Sequence, residues 1–148
     1  MWTYLLAALL LPALTVCIHA LGSYGNLHWI LRSLHKKPSV TLGNAMWIML
    51  RLAILLLLLH ALEVAIWAQF YVLERCFSDL ETAYYFSLTS YTTLGYGDVL
   101  LPRSWRIMGG WEAMTGVLMF GWSTASLVAF VHFAQESKVR KYFSAAPK

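Results

Sequence analysis

Thr92-Thr93-Leu94-Gly95-Tyr96-Gly97-Asp98, with Ser78-Asp79-Leu80-Glu81 a short way upstream, is the stretch whose reading decides the fold. Ser78 to Glu81 forms a capping box: a Ser side chain at the N-cap accepts from the N3 backbone while Glu81 reaches back to the Ser backbone. A helix from Asp79 to Tyr91 is roughly 20 Å long at 1.5 Å per residue, too short to cross hydrocarbon but suited to a re-entrant element buried in protein. Acids in its first turn complement the positive end of the helix dipole, and its negative end points at whatever lies beneath the following loop, where a cation is stabilised.

Long apolar runs flank this stretch. The chain has 148 residues, 59% hydrophobic and only 12% charged, which is too little polar surface to solvate a globule, so the bilayer is the expected solvent. No enzyme and no nucleic-acid partner is expected. The net charge of +4 is assigned instead to short basic loops that orient a membrane protein. Upstream, residues 42–73 predict a tilted outer helix, too long for a perpendicular span. Arg51 can snorkel to the headgroups, but Glu63 lies near the middle of an uncharged stretch and must face protein. Either a contact with His60, one turn away, or a protonated Glu63 bonding another helix removes the penalty. Downstream, residues 106–135 predict a second spanning helix, opened by the interfacial pair Trp105 and Arg106.

Residues 1–21 form a further uncharged run. It is longer than the apolar core of a signal peptide and lacks a preceding positive charge, so it is read as an N-terminal transmembrane helix bent at Pro12. Residues 22–41 carry Arg32, Lys36, Lys37, His28 and His35 without an acid, and Leu27, Ile30, Leu31 and Leu34 recur at helical spacing. A basic amphipathic linker lying flat on the cytoplasmic surface is expected, a partner-docking helix being the other use. Residues 136–148 read as a cytoplasmic basic tail. Cys17 and Cys76 fall in different environments and imply no disulfide with each other, although Cys76 residues of neighbouring subunits could pair.

Residues 92–98 resemble the pore loop of prokaryotic potassium channels, the family with two transmembrane helices around a pore loop, here with an extra N-terminal span. The resemblance covers about Ser78 to Ala134 well, is looser over the outer helix, and does not reach the first span. It implies a selectivity filter of Thr93, Leu94, Gly95, Tyr96 and Gly97, whose glycines permit backbone conformations closed to other residues. Carbonyls of Thr93, Leu94, Gly95 and Tyr96, with the Thr93 hydroxyl, would then replace the water shell of K+, the permeant ion. Thr92 and Asp98 flank the filter, Tyr96 braces it, and Tyr85 donates toward Asp98. Two positions depart from the family pattern: Leu94 stands where Val is usual, and Thr89 where some members carry an acid behind the filter. Glu112 is the candidate substitute acid, paired with Asp98 through a shared proton, with Thr89 or with Tyr85.

By the same resemblance, Phe120-Gly121 and Thr124-Ala125 match the inner helix and place Gly116 on the hinge glycine, although a glycine there serves close packing equally well. Val117, Phe120, Thr124, Val128 and His132 form one stripe able to face a central cavity. The expected architecture is therefore an all-α membrane protein: three transmembrane helices, a pore helix at 79–91 and a filter at 92–98 within a pore domain at 42–135. One loop per chain requires a homotetramer. The expected function is passive K+ conduction across the cell inner (plasma) membrane, with the N-terminus outside and the C-terminus cytoplasmic. Two rivals are a membrane haem protein ligated by His60 and His132 and a non-conducting regulatory subunit.

Overall fold

The computed structural model describes residues 2–36 and 42–144, with side chains over 4–33 and 43–136. Its elements are α1 (Trp2–Lys36), α2 (Leu42–Leu73), α3 (Leu80–Tyr91) and α4 (Arg106–Ser144), and no strand occurs among the described residues. Three segments, Tyr4–Ser33, Gly43–Leu73 and Arg106–Glu136, are long and apolar enough to cross a membrane. Leu9 is 67% exposed and Leu57 68%. Apolar surface on that scale is unsuited to water and needs lipid or another chain to cover it.

The first helix does not stop at Leu21. Of the segment read as a separate surface linker, residues 22–36 continue α1 without a break, because no proline follows Pro12 within it and Gly22 sits against α2, where a Cβ would come within 2.7 Å of the Leu59 side chain. Ile30 is buried with Ile48, Leu52, Leu56 and Phe130 and so serves the bundle, while Leu27 and Leu31 stay exposed. Arg51 lies 3.2 Å over the Trp29 ring, a cation–π contact that shelters its charge beside α1. Lys37 and Lys148 lie outside the described residues, as do the side chains of His35, Lys36, Lys138, Arg140 and Lys141. The expected tail likewise begins as helix: α4 runs to Ser144 because residues 136–144 contain neither Gly nor Pro.

Helix α2 ends in a Schellman motif, with Cys76 N–H on the Tyr71 carbonyl at 2.8 Å and Arg75 N–H on Val72 at 3.0 Å. Arg75 takes the left-handed position at φ 56°, where glycine is usual. Helix α3 then starts one residue later than the capping box predicts. Asp79, extended at φ −139° and ψ 156°, is the N-cap and accepts from the Thr82 N–H at 2.7 Å, while Ser78 Oγ donates to the Asp79 carboxylate at 3.2 Å. The carboxylate is the stronger acceptor and displaces Ser78 from the capping role.

Helix α3 packs against α2 and α4, and α1 packs against the same two. Ala83 and Phe86 of α3 join Trp67, Tyr71 and Met108 in one core, with Ala8 and Leu11 of α1. Trp67 Nε1–H donates to Thr15 Oγ1 at 3.1 Å, tying α1 to α2. Val64, Tyr91 and Met119 form a second core at the other end of α3. There α4 approaches so closely that a Cβ on Gly116 would lie 2.1 Å from the Tyr91 carbonyl oxygen. Of the two roles open to Gly116, close packing is the one this contact requires.

Gly116→Ala should therefore push α4 off the end of α3, at a cost on the order of 1–3 kcal/mol. A lowered unfolding temperature in detergent, beside an unharmed Gly25→Ala control with nothing within 4 Å of the added Cβ, is the expected result. Equal stability of the two variants would contradict it.

Candidate functional site

The loop after α3 is shaped first by the helix end. Thr92 N–H and Oγ1 both bond the Leu88 carbonyl, at 3.1 and 2.7 Å. Thr93 N–H then reaches Ser90 O at 2.9 Å, and Gly95 N–H reaches Thr89 O at 3.0 Å. The backbone takes positive φ at alternate residues: Thr93 at 64°, Gly95 at 53° and Gly97 at 78°. In an ordinary strand successive carbonyls point to opposite sides. Alternating the sign of φ breaks that pattern and is the backbone condition for successive carbonyls to share one side. Glycine takes such angles freely, whereas a β-branched Thr pays on the order of 1–3 kcal/mol. The glycine spacing alone revealed two of the three positions.

The flanking groups fall where their helices aim them. Tyr85 OH donates to Asp98 Oδ2 at 2.6 Å, as the resemblance implied, and Val99 N–H donates to Asp98 Oδ1 at 3.1 Å. The Tyr85 hydrogen bond holds the Asp98 carboxyl below its ordinary range. Tyr96 is 67% exposed, so the described residues of its own chain do not brace it.

Glu112 has other partners than those expected. It is fully buried and accepts from Tyr71 OH at 2.8 Å and from Ser87 Oγ. Ser87 Oγ also lies 2.9 Å from the Val64 carbonyl. Thr89 Oγ1 instead donates to Phe86 O in its own helix at 2.9 Å, and Asp98 and Tyr85 bond each other. The reason is helical phase. Tyr85 and Thr89 share one side of α3, while Ser87 lies on roughly the opposite side, the side that meets Glu112. Tyr71 and Ser87 were not singled out by the sequence, although a Ser among the aromatics of α3 was the available signal.

A second polar cluster forms at the far end of α3. His60 Nδ1 lies 3.3 Å from Glu63 Oε2, the contact expected one turn along α2. Three partners join it: His19 Nδ1 at 2.9 Å from Glu63 Oε1, Tyr91 OH donating to Glu63, and Ser123 Oγ at 2.9 Å from His60 Nε2. All five residues are buried, and they come from all four helices. Sequence reasoning missed His19, whose signal was a lone imidazole in an otherwise apolar run.

Along α4, Val117, Gly121, Thr124, Val128 and His132 are exposed in the single chain. Phe120 departs from this stripe: it turns inward, its ring 4.5 Å from His60 and 5.5 Å from Tyr91. The haem reading also meets an obstacle of distance from His60, which is held beside Ser123. His132 lies nine residues beyond Ser123, about 13 Å along the helix. Cys17 and Cys76 are both free thiols.

The model of a family described as ion channel matches residues 54–132, from the middle of α2 through most of α4. No curated protein and no solved structure matches the chain.

Glu112→Ala should strand the Tyr71 hydroxyl, at about 1–3 kcal/mol, while Ser87 keeps the Val64 carbonyl. A lowered unfolding temperature in detergent is expected, and an unchanged one would contradict this role. At the Asp98 pair the sign is set by its depressed acidity. Its stabilisation is fully present above an ordinary Asp value of about 3.9 and is lost as pH falls through the lower folded value. Tyr85→Phe removes the main cause of the depression, so the midpoint of acid-induced current loss on the loop side should move to higher pH. An unmoved midpoint would separate Asp98 from loop stability.

Proposed function

The chain belongs to the ion-channel family, whose model covers more than half of it, and from that premise we propose that four copies form a potassium-selective pore through which K+ passes passively. The observation that carries this reading is the alternation of positive φ at Thr93, Gly95 and Gly97 directly beyond the C-terminal end of a short buried helix. Carbonyls of Thr93, Leu94, Gly95 and Tyr96 supply oxygen rings in place of ion hydration, and the Thr93 hydroxyl adds the innermost ring. The negative end of the α3 dipole stabilises a cation on the axis. Leu94 contributes its backbone, so its difference from Val alters packing more than coordination.

Assembly follows from arithmetic and surface. One loop per chain cannot encircle an ion, and the uncovered α4 face, with Val117 at 57% exposure, is available to line a shared cavity. A neighbouring copy also supplies what Tyr96 lacks within its own chain. We place the protein in the cell inner (plasma) membrane with α3 and the loop on the outer side. The basic residues before α2 and after Gln135 lie in the cytoplasm, and Glu74, Asp79, Glu81 and Asp98 lie near the outer mouth. Those acids raise the local cation concentration, an effect that salt weakens.

Reconstitution in liposomes under a potassium/sodium gradient tests the proposal. A reversal potential near that of potassium is expected, together with loss of current but not of membrane insertion in Gly95→Ala, whose φ of 53° disfavours a Cβ. Equal sodium and potassium permeability, or wild-type currents from the variant, would overturn the assignment.

A further inference from the structure

The cluster around Glu63 has a hydrogen-bonding ledger that does not close with an ionised Glu63 and two neutral imidazoles; it needs one more proton or another cation. His19 and His60 each turn Nδ1 toward the Glu63 carboxylate, at 2.9 and 3.3 Å. Each turns Nε2 toward the same hydroxyl, Ser123 Oγ, at 3.3 and 2.9 Å. An ionised carboxylate only accepts, so hydrogen bonds from both rings to Glu63 place a proton on each Nδ1. In neutral imidazoles both Nε2 atoms are then acceptors, and Ser123 has a single proton to give. One ring nitrogen is left lone pair to lone pair in a buried site, where an unmade bond is expensive.

A cation between the rings and the carboxylate removes the lone-pair conflict. With a metal ion on the Nδ1 side, both Nε2 atoms carry hydrogen and donate to Ser123 Oγ, whose two lone pairs can accept both. This is the usual arrangement around a ligating histidine, in which the second nitrogen donates to a fixed acceptor. The distances suit such an ion. The ligand atoms of His19, His60 and Glu63 all lie within 4.8 Å of one another. Bonds of about 2.0–2.2 Å at tetrahedral angles put neighbouring ligand atoms roughly 3.3–3.5 Å apart. Tyr91 OH lies 3.2 Å from His60 Nδ1 and borders the same group of ligand atoms.

We propose that His19, His60 and Glu63 form a site for a divalent transition-metal ion, zinc by preference, that clamps α1 to α2 beside the end of α3. Two imidazoles and a carboxylate are borderline-soft donors suited to zinc and poorly suited to calcium or magnesium. Glu63 neutralises one of the two charges, and the rings of Phe120 and Trp122, 4.5 Å from His60 and 5.8 Å from His19, shield the site.

The proposal rests on this four-helix cluster and not on ion selectivity, so it can fail while the pore reading stands. The test uses the full chain in detergent, stripped with chelator and titrated with Zn2+ alone by calorimetry. Saturable uptake of one ion per chain is expected, with visible four-coordinate bands when Co2+ replaces it. Ser123→Ala should weaken binding about 10–100-fold, His19→Gln should weaken it more, and His28→Gln, at an exposed position outside the cluster, should leave it unchanged. Should His19→Gln not fold, X-ray absorption of the zinc-loaded wild type decides: two imidazole rings at the metal support the site, and fewer overturn it. No saturable uptake, or uptake indifferent to His19→Gln in a folded chain, would overturn it as well, and would leave an extra proton shared by the two rings as what closes the ledger.

Discussion

The carbonyl of Tyr91 resting against the bare Cα of Gly116 is the contact on which the rest of the site depends. It sets the depth at which α3 ends relative to α4, and the 92–98 loop begins at the next residue. Because Tyr91 is also fully buried, its ring meets Phe120 and its hydroxyl reaches Glu63 and His60. One residue thus joins the loop to a helix-packing contact on one side and to a polar cluster on the other. A larger residue at position 116 would move the whole of that junction, since a backbone carbonyl cannot rotate out of the way as a side chain can.

Two buried carboxylates hold the remainder of α3. Glu112 receives Tyr71 and Ser87, and Glu63 receives Tyr91 and both histidines. Each hydrogen bond contributes only about 0.5–1.5 kcal/mol net, whereas each buried group left without its partner costs about 1–3 kcal/mol. The clusters therefore specify an arrangement more than they strengthen it: α3 cannot slide along α2 or α4 without orphaning several polar groups at once. An apolar interface of the same area would tolerate such a slip, and a loop with alternating backbone handedness could not survive it.

What the sequence made legible was what depends on local patterning. Apolar length marked the three long helices, the acid-rich start marked α3, and the paired glycines marked the loop. The error at the cap was a single residue, because Ser78 and Asp79 are both good caps and only the geometry shows which carboxylate or hydroxyl meets Thr82 N–H. The continuity of α1 through Gly22 was illegible for a different reason. A glycine that ends a helix and one that lets a neighbouring side chain approach look alike until Leu59 is seen beside it. Partners across helices were the least legible. Glu112 visibly needed a donor, but the choice of Ser87 over Thr89 rests on two residues of helical phase, about 200° of rotation. Thr93 at positive φ could not be read at all, since nothing in a threonine announces that angle.

The strain at Thr93 bears on how far one chain can hold the loop by itself. Within the chain the loop is anchored at its start by the bonds of Thr93 and Gly95 to α3 carbonyls and at its end by Asp98 to Tyr85. Between these anchors Leu94 and Tyr96 are 58% and 67% exposed and contribute little packing. A left-handed β-branched residue persists only where its surroundings over-determine it, and two anchors with open side chains between them are a thin basis for that. In the proposed assembly, contacts from neighbouring copies around Tyr96, and a cation among the carbonyls, would both act on this same stretch, so the loop would be the part of the fold whose stability is most closely coupled to assembly and to the permeant ion.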